Sequence, residues 1–252
     1  MGAMKLIAGN WKMNGTRSEA EAFLARLADL KPARRPDRQL LICPPATLIW
    51  EMSRPLAALG IAVGGQNCHP AVAGAFTGDI SAGMLRDLDC THVILGHSER
   101  RAMHGETDRA VHVKAQAARR HGLIPIICVG ETLSEREAGL AEPVVRGQVR
   151  DSVPDGIEGH AMVVAYEPIW AIGTGHTPTT DEIVEMHRVI REALVGKSDD
   201  SDCGLILYGG SVKPGNACDI LCLQGVDGAL IGGASLDAGD FMAIADAEVK
   251  GA

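Results

Sequence analysis

Lys5-Leu6-Ile7-Ala8, followed by Gly9-Asn10-Trp11-Lys12, is the stretch on which the fold turns. The first four residues are a short apolar run of the kind that makes a buried strand. The next four separate two architectures. A doubly wound dinucleotide-binding sheet needs a glycine-rich G-x-G-x-x-G turn at this point, and Asn10, Trp11 and Lys12 do not supply one.

Seven further runs follow at Gln39–Cys43, Ile61–Gly65, His92–Leu95, Leu123–Val129, Ala161–Tyr166, Leu205–Tyr208 and Gly228–Ile231. They do not alternate cleanly between apolar and polar, as expected of parallel strands covered on both faces. Their starts are spaced by about 32 residues on average, close to one strand–helix unit.

Helical patterns fill the gaps. Ser18 and Glu21 have capping-box spacing ahead of the Phe23, Leu24, Leu27, Leu30 stripe, and Thr179 and Glu182 repeat the box before Ile183 and Met186. Glu106–His121, Glu131–Arg150 and Ala238–Val249 also read as helices, and Ala46–Leu59 as one kinked or split at Pro55. No polar linker divides the chain. Eight strand–helix units in 252 residues make an α/β protein, a single-domain closed (β/α)8 barrel spanning residues 1–252.

Composition bounds the function. Hydrophobic residues are 46% and charged residues 22%, so a folded globular chain is expected. A net charge of −8 argues against broad nucleic-acid or anionic-membrane binding. It leaves room for one small anion held by amides and a lysine. The apolar runs fall far short of the roughly 20 residues that span a bilayer. Leu6-Ile7-Ala8, stopped by Asn10 and Lys12, is not a signal peptide. Seven cysteines without scaffold spacing point to a reducing, cytoplasmic setting.

In a barrel of this class, the loops at the carboxyl ends of the strands build the site. There the sequence places Asn10 and Lys12, His97 and Glu99, Glu167, Gly209-Gly210-Ser211, and Gly232-Gly233. Taken singly, each has an ordinary structural explanation. Together they put an amide, a cation, an imidazole, a carboxylate and two glycine turns on one rim. Glycine turns after the last two strands allow close backbone approach, and the helix starts behind them favour a phosphate. Ala171-Ile172-Gly173-Thr174-Gly175, between Pro168 and Pro178, has the composition of a closing loop.

With these residues in view, nearly the whole chain resembles the triosephosphate isomerase family. The likeness rests on Asn10-Trp11-Lys12-Met13-Asn14, His97-Ser98-Glu99-Arg100-Arg101 and Tyr166-Glu167-Pro168-Ile169-Trp170-Ala171-Ile172-Gly173-Thr174-Gly175. Cys128-Val129-Gly130-Glu131, Tyr208-Gly209-Gly210-Ser211-Val212 and Gly232-Gly233-Ala234-Ser235-Leu236 extend it. The resemblance implies a TIM barrel that interconverts dihydroxyacetone phosphate and glyceraldehyde 3-phosphate without metal or organic cofactor.

Within that resemblance, Glu167 is the base, His97 polarises the carbonyl as a neutral imidazole, and Lys12, helped by Asn10, stabilises the enediolate. Amides of Gly173, Ser211 and Gly233, with Gly232 close by, hold the phosphate, and a lid spans roughly Pro168–Pro178. Glu99 is expected to be the family's buried carboxylate near Lys12, although a structural ion pair would account for it equally. The resemblance also implies a homodimer, with the Gly74–Asp79 loop docking into the partner and Thr77 bracing its Asn10 and Lys12. Asp79, where glutamate is commoner, and Pro178, at the end of the lid, depart from the family pattern.

Two rivals stay open at this point: an isomerase of a four-carbon ketose phosphate, and a non-catalytic sugar-phosphate-binding barrel. Gly196-Lys197-Ser198 ends like a nucleotide loop, but Arg191 stands where its first glycine belongs. Cys218 and Cys222, four apart on an expected helix, read as core thiols rather than a metal site.

Overall fold

The computed structural model describes residues 4–156, 161–171, 178–195, 197 and 204–247. Strands β1 (Lys5–Asn10), β2 (Arg38–Cys43), β3 (Ala62–Gly65), β4 (His92–Leu95), β5 (Ile124–Val129), β6 (Val163–Tyr166), β7 (Leu205–Tyr208) and β8 (Gly228–Ile231) pair in parallel, in chain order. The circle closes where β1 meets β8, Leu6 opposite Gly228. This is the (β/α)8 TIM barrel expected from the spacing, with strand ends displaced by at most two residues.

Two apolar layers explain why the strands read as unbroken hydrophobic runs. Leu6, Ala8, Leu41, Cys43, Ile126, Cys128, Ala165, Leu207 and Leu230 fill the interior of the barrel. Their neighbours Ile7, Ile42, Ile127, Val164, Ile206 and Ile231 point outward against the helices. Successive strand side chains face opposite ways, so with both faces covered the middle of each strand is apolar on both sides, and polar residues such as Asn10, Arg38 and His92 stand at strand ends. Each fully buried side chain of this size is worth about 1.5–3 kcal/mol.

The helices are α1 (Arg17–Leu30), α2 (Ala46–Ala58), α3 (Ala82–Asp87), α4 (Ser98–His104), α5 (Asp108–Arg120), α6 (Leu133–Glu137), α7 (Ala141–Ser152), α8 (Thr180–Val195), α9 (Ala217–Leu221) and α10 (Ala238–Ala245). Several differ from their sequence reading. The first capping box is Thr16 with Glu19, not Ser18 with Glu21. The two boxes overlap in Thr16-Arg17-Ser18-Glu19-Ala20-Glu21, and the earlier start adds helical hydrogen bonds. The Thr179–Glu182 box forms as expected, its carboxylate 2.7 Å from the Thr179 amide.

The helix expected over Glu131–Arg150 is two helices, broken at Gly139, whose φ of +71° suits glycine. Pro143 then sits in the first turn of α7, where its missing N–H costs nothing. Pro55 does not split α2: it lies in the last turn and deprives only the Glu51 carbonyl of a partner. Val249, the expected end of the last helix, lies outside the described residues.

Candidate active site

The segments after β1, β4, β6, β7 and β8 build the site. After β1 the chain turns so tightly that Lys12 takes φ +53°, a left-handed conformation rare for lysine. Three bonds hold it there. The Lys12 amide donates to Oδ1 of Asn10 at 3.0 Å, and Gln66 Nε2 donates to the carbonyls of Lys12 at 2.8 Å and Cys43 at 2.9 Å. So constrained, Lys12 Nζ meets Oε1 of Glu99 at 2.5 Å.

After β4, Gly96 reverses the chain and His97 caps α4, its Nδ1 accepting the Glu99 amide at 3.3 Å. Arg101 anchors this corner by donating to the carbonyls of Gly96 and Cys128. With Nδ1 accepting, Nε2 is left to donate, and it does so to Oε1 of Glu167 at 2.8 Å. The other carboxylate oxygen, Oε2, accepts the Ser98 amide at 2.8 Å.

Glu167 is 2% exposed. Burial works against its charge, but the facing imidazole, the Ser98 amide and Lys12 outweigh it and hold the carboxyl below the ordinary glutamate range. Burial likewise opposes a charged His97, but the Glu167 carboxylate prevails and lifts the imidazole above its ordinary value. Two glycines make room for Glu167, Gly130 for its main chain and Gly209 for its side chain. A β-carbon on Gly130 would fall 1.7 Å from the Glu167 carbonyl oxygen, and one on Gly209 would fall 3.0 Å from Glu167 Cγ.

Asn10, Lys12, His97, Glu167, Ser211, Gly232 and Gly233 line one cavity of about 280 Å³. Gly233 opens a 3-10 helix over Gly233–Leu236, whose first amides lack intrahelical acceptors. Of the residues expected in the site, Gly173 lies outside the described residues, together with most of the lid. Glu99 is beside Lys12 as expected but is not buried, its side chain being 42% exposed in the single chain. Thr77 is exposed and lines neither this cavity nor its larger neighbour.

Sequence reasoning missed Gln66, Lys213 and Leu230. Lys213 and Leu230 line the cavity. Lys213, a cation two residues past Ser211, was findable from its position; Gln66 carries no such mark. Among the described residues, no group of three or more His, Cys, Asp or Glu side chains is placed to hold a metal ion. Among them, too, no helix is long and apolar enough to cross a membrane.

A buried carboxylate facing an imidazole, beside an ammonium and two glycine turns, can move a proton next to a carbonyl on an anionic substrate. Comparison with known proteins agrees. A profile of the family described as triosephosphate isomerase matches residues 5–248. The chain belongs to the triosephosphate isomerase family. It is 55% identical to the triosephosphate isomerase of Ruegeria pomeroyi over 245 residues, covering 96% of each chain. It is also 55% identical to that of Xanthobacter flavus over 246 residues, again covering 96% of each. The crystal structure of the Bartonella henselae triosephosphate isomerase superposes with a TM-score of 0.87 at 43% identity, covering 96% of this chain and 98% of that one. Membership of the triosephosphate isomerase family thus coincides with the convergence of Lys12, His97 and Glu167 on one cavity.

Proposed function

We propose that this chain, as a triosephosphate isomerase, interconverts dihydroxyacetone phosphate and D-glyceraldehyde 3-phosphate through an enediolate, with Glu167 carrying the proton. The observation that carries this reading is the 2.8 Å contact between His97 Nε2 and Glu167 Oε1 on the wall that also presents Lys12. Glu167 removes the proton from the carbon beside the carbonyl and returns it to the neighbouring carbon. His97 donates from Nε2 to the carbonyl oxygen, and Lys12, with Asn10, faces the negative charge as it develops. A glutamate base paired with a neutral histidine is the established pattern of pKa tuning in this family.

The geometry supports a neutral imidazole once substrate is bound. Glu167 is the largest influence raising the His97 pKa, with Glu99 a smaller one; when the Glu167 carboxylate turns to substrate, burial, Lys12 and the positive end of α4 all disfavour imidazolium, against Glu99 alone. The phosphate rests on amides of Ser211 and Gly233, next to Gly232, with Gly173 supplied by the lid.

The rest of the reading is a homodimer of single-domain subunits, each spanning residues 1–252 and working in the cytoplasm. A groove of about 790 Å³ beside the site is lined by Met13, Asp79, Glu99 and Met103, and Met13 is 96% exposed. The Gly74–Asp79 loop is stiffened by Phe76 packed on His69, with ring centroids 3.9 Å apart. In the dimer this loop fills the partner's groove, and Thr77 braces the partner subunit's Asn10 and Lys12. That same docking would cover Glu99.

The test is a coupled assay that follows dihydroxyacetone phosphate formed from glyceraldehyde 3-phosphate by protein dialysed against chelator. Turnover that disappears in Glu167→Gln, with phosphoglycolate still bound, is the expected result. Absence of turnover in the unmodified protein would refute the assignment, and a tetrose phosphate preferred in kcat/KM would move it to the four-carbon substrate.

A further inference from the structure

In a parallel sheet each residue presents its N–H and C=O to one neighbouring strand, and successive residues face opposite neighbours. At the end of β5 the Val129 carbonyl faces β6 and accepts the Glu167 amide at 2.7 Å. Gly130 therefore faces the other side, where β4 has already left. The pairing of β4 with β5 ends at Leu95 opposite Ile127, and the chain turns at Gly96 into α4. Two side chains stand in for the lost strand. Arg101 takes the Cys128 carbonyl at 3.1 Å. Gln148, in α7, takes both groups of Gly130: its Oε1 accepts the amide at 2.7 Å and its Nε2 donates to the carbonyl at 3.0 Å. A side-chain amide has both an acceptor oxygen and a donor nitrogen, so it can imitate a strand edge.

Gly130 is the seat of the Glu167 main chain. The Glu167 carbonyl oxygen lies so close over it that a β-carbon there would fall 1.7 Å away. On either side of it, Val129 and Glu131 accept the amides of Glu167 and Ile169, at 2.7 and 3.2 Å. Gln148 does not line the cavity, so any part it plays is played through Gly130. That part is largest in mid-reaction. To turn to substrate, Glu167 gives up His97 Nε2 and the Ser98 amide, and its main chain is then what holds it.

We propose that Gln148 is a positioning residue for the isomerisation: by clamping Gly130 it fixes the main chain of Glu167, so that the base reaches substrate by rotation of its side chain alone. The inference rests on the reading of Glu167 as that base.

The test uses two variants of the full chain. Gln148→Met keeps the length of the side chain and removes both bonds. Gln148→Glu keeps the shape and the acceptor but, ionised, cannot donate to the Gly130 carbonyl, and it serves where methionine perturbs folding. We expect kcat to fall about ten-fold in the first and at least about three-fold in the second. The Kd for phosphoglycolate and the circular dichroism should stay near native. Independent effects multiply on any background, so a merely structural weakening would cost Glu167→Asp the same factor. Gln148→Met added to Glu167→Asp should instead cost less than about three-fold, because the base is already withdrawn. Native kcat in both variants, an equal loss in the Glu167→Asp background, or a loss of phosphoglycolate affinity matching that in kcat would overturn the proposal. Turnover that survives in Glu167→Gln would remove the base and the proposal with it, whereas an inactive Glu167→Gln beside a native Gln148→Met would strike the positioning role alone.

Discussion

Glu167 has both carboxylate oxygens engaged, Oε1 by His97 Nε2 and Oε2 by the Ser98 amide, each at 2.8 Å. A base held this way must turn to reach a substrate carbon, and its reach is set by the length of its side chain. Glu167→Asp withdraws the carboxylate by one methylene. We expect kcat to fall by about 10²–10³ while KM changes less than about three-fold, because the phosphate contacts are untouched. Steady-state kinetics in both directions measures this, and near-native kcat would count against Glu167 as the base.

The room around that carboxylate is set by glycine. The β-carbon of Gly209→Ala would meet Glu167 Cγ and the Tyr166 carbonyl oxygen, each at 3.0 Å. Overpacking of this kind costs about 1–3 kcal/mol. The expected variant folds, with kcat lowered about ten-fold by a displaced base. Gly130→Ala puts its β-carbon 1.7 Å from the Glu167 carbonyl oxygen, so the strand end itself must move, and soluble yield should collapse. Urea unfolding and kcat on the two variants check the contrast; equal stability would contradict it.

Gln66 does not line the cavity that holds Glu167, yet it grips the carbonyl of Lys12. Removing it leaves the Lys12 carbonyl short of a donor, at about 1–3 kcal/mol, while the Cys43 carbonyl keeps the Trp11 amide, and it frees a lysine kept at φ +53°. Gln66→Leu is expected to lower kcat/KM about ten-fold. Gln66→Glu, which cannot donate to carbonyls when ionised, should do likewise. Native kcat/KM in both would show that Lys12 needs no such brace.

Two buried histidines set the acid tolerance of the fold. Burial pushes His92 and His187 down to about 4. The unfolded chain takes these protons near pH 6.5, so between pH 6.5 and 4 it binds more protons than the folded state. Stability therefore rises with pH across that window and levels off above it. Each site accounts for a loss of roughly 3 kcal/mol by pH 4. Urea midpoints at pH 7 and 4.5 should differ, and His187→Gln should reduce the slope. A midpoint independent of pH would refute this. Because Glu167 lies below the ordinary range, the acid limb of kcat/KM should fall below the usual glutamate value of about 4.3.

The barrel was legible because its strands are covered twice. Leu6, Ile7 and Ala8 are apolar in succession since Ile7 packs on the helices while its neighbours fill the interior. Lys12, His97 and Glu167 were legible because each stands at a strand end, where no structural role for a polar side chain is obvious. Gln66 was not: its partners are the main-chain carbonyls of Lys12 and Cys43, and such bonds leave no trace in side-chain pattern. The break between α6 and α7 was marked by Gly139 and by Pro143 four residues later, and the helix-compatible residues on either side masked both.

Lys12 waits against Glu99 at 2.5 Å. An anion entering the cavity therefore meets a cation that already has a counter-ion, and it must compete with the Glu99 carboxylate for the same ammonium hydrogens.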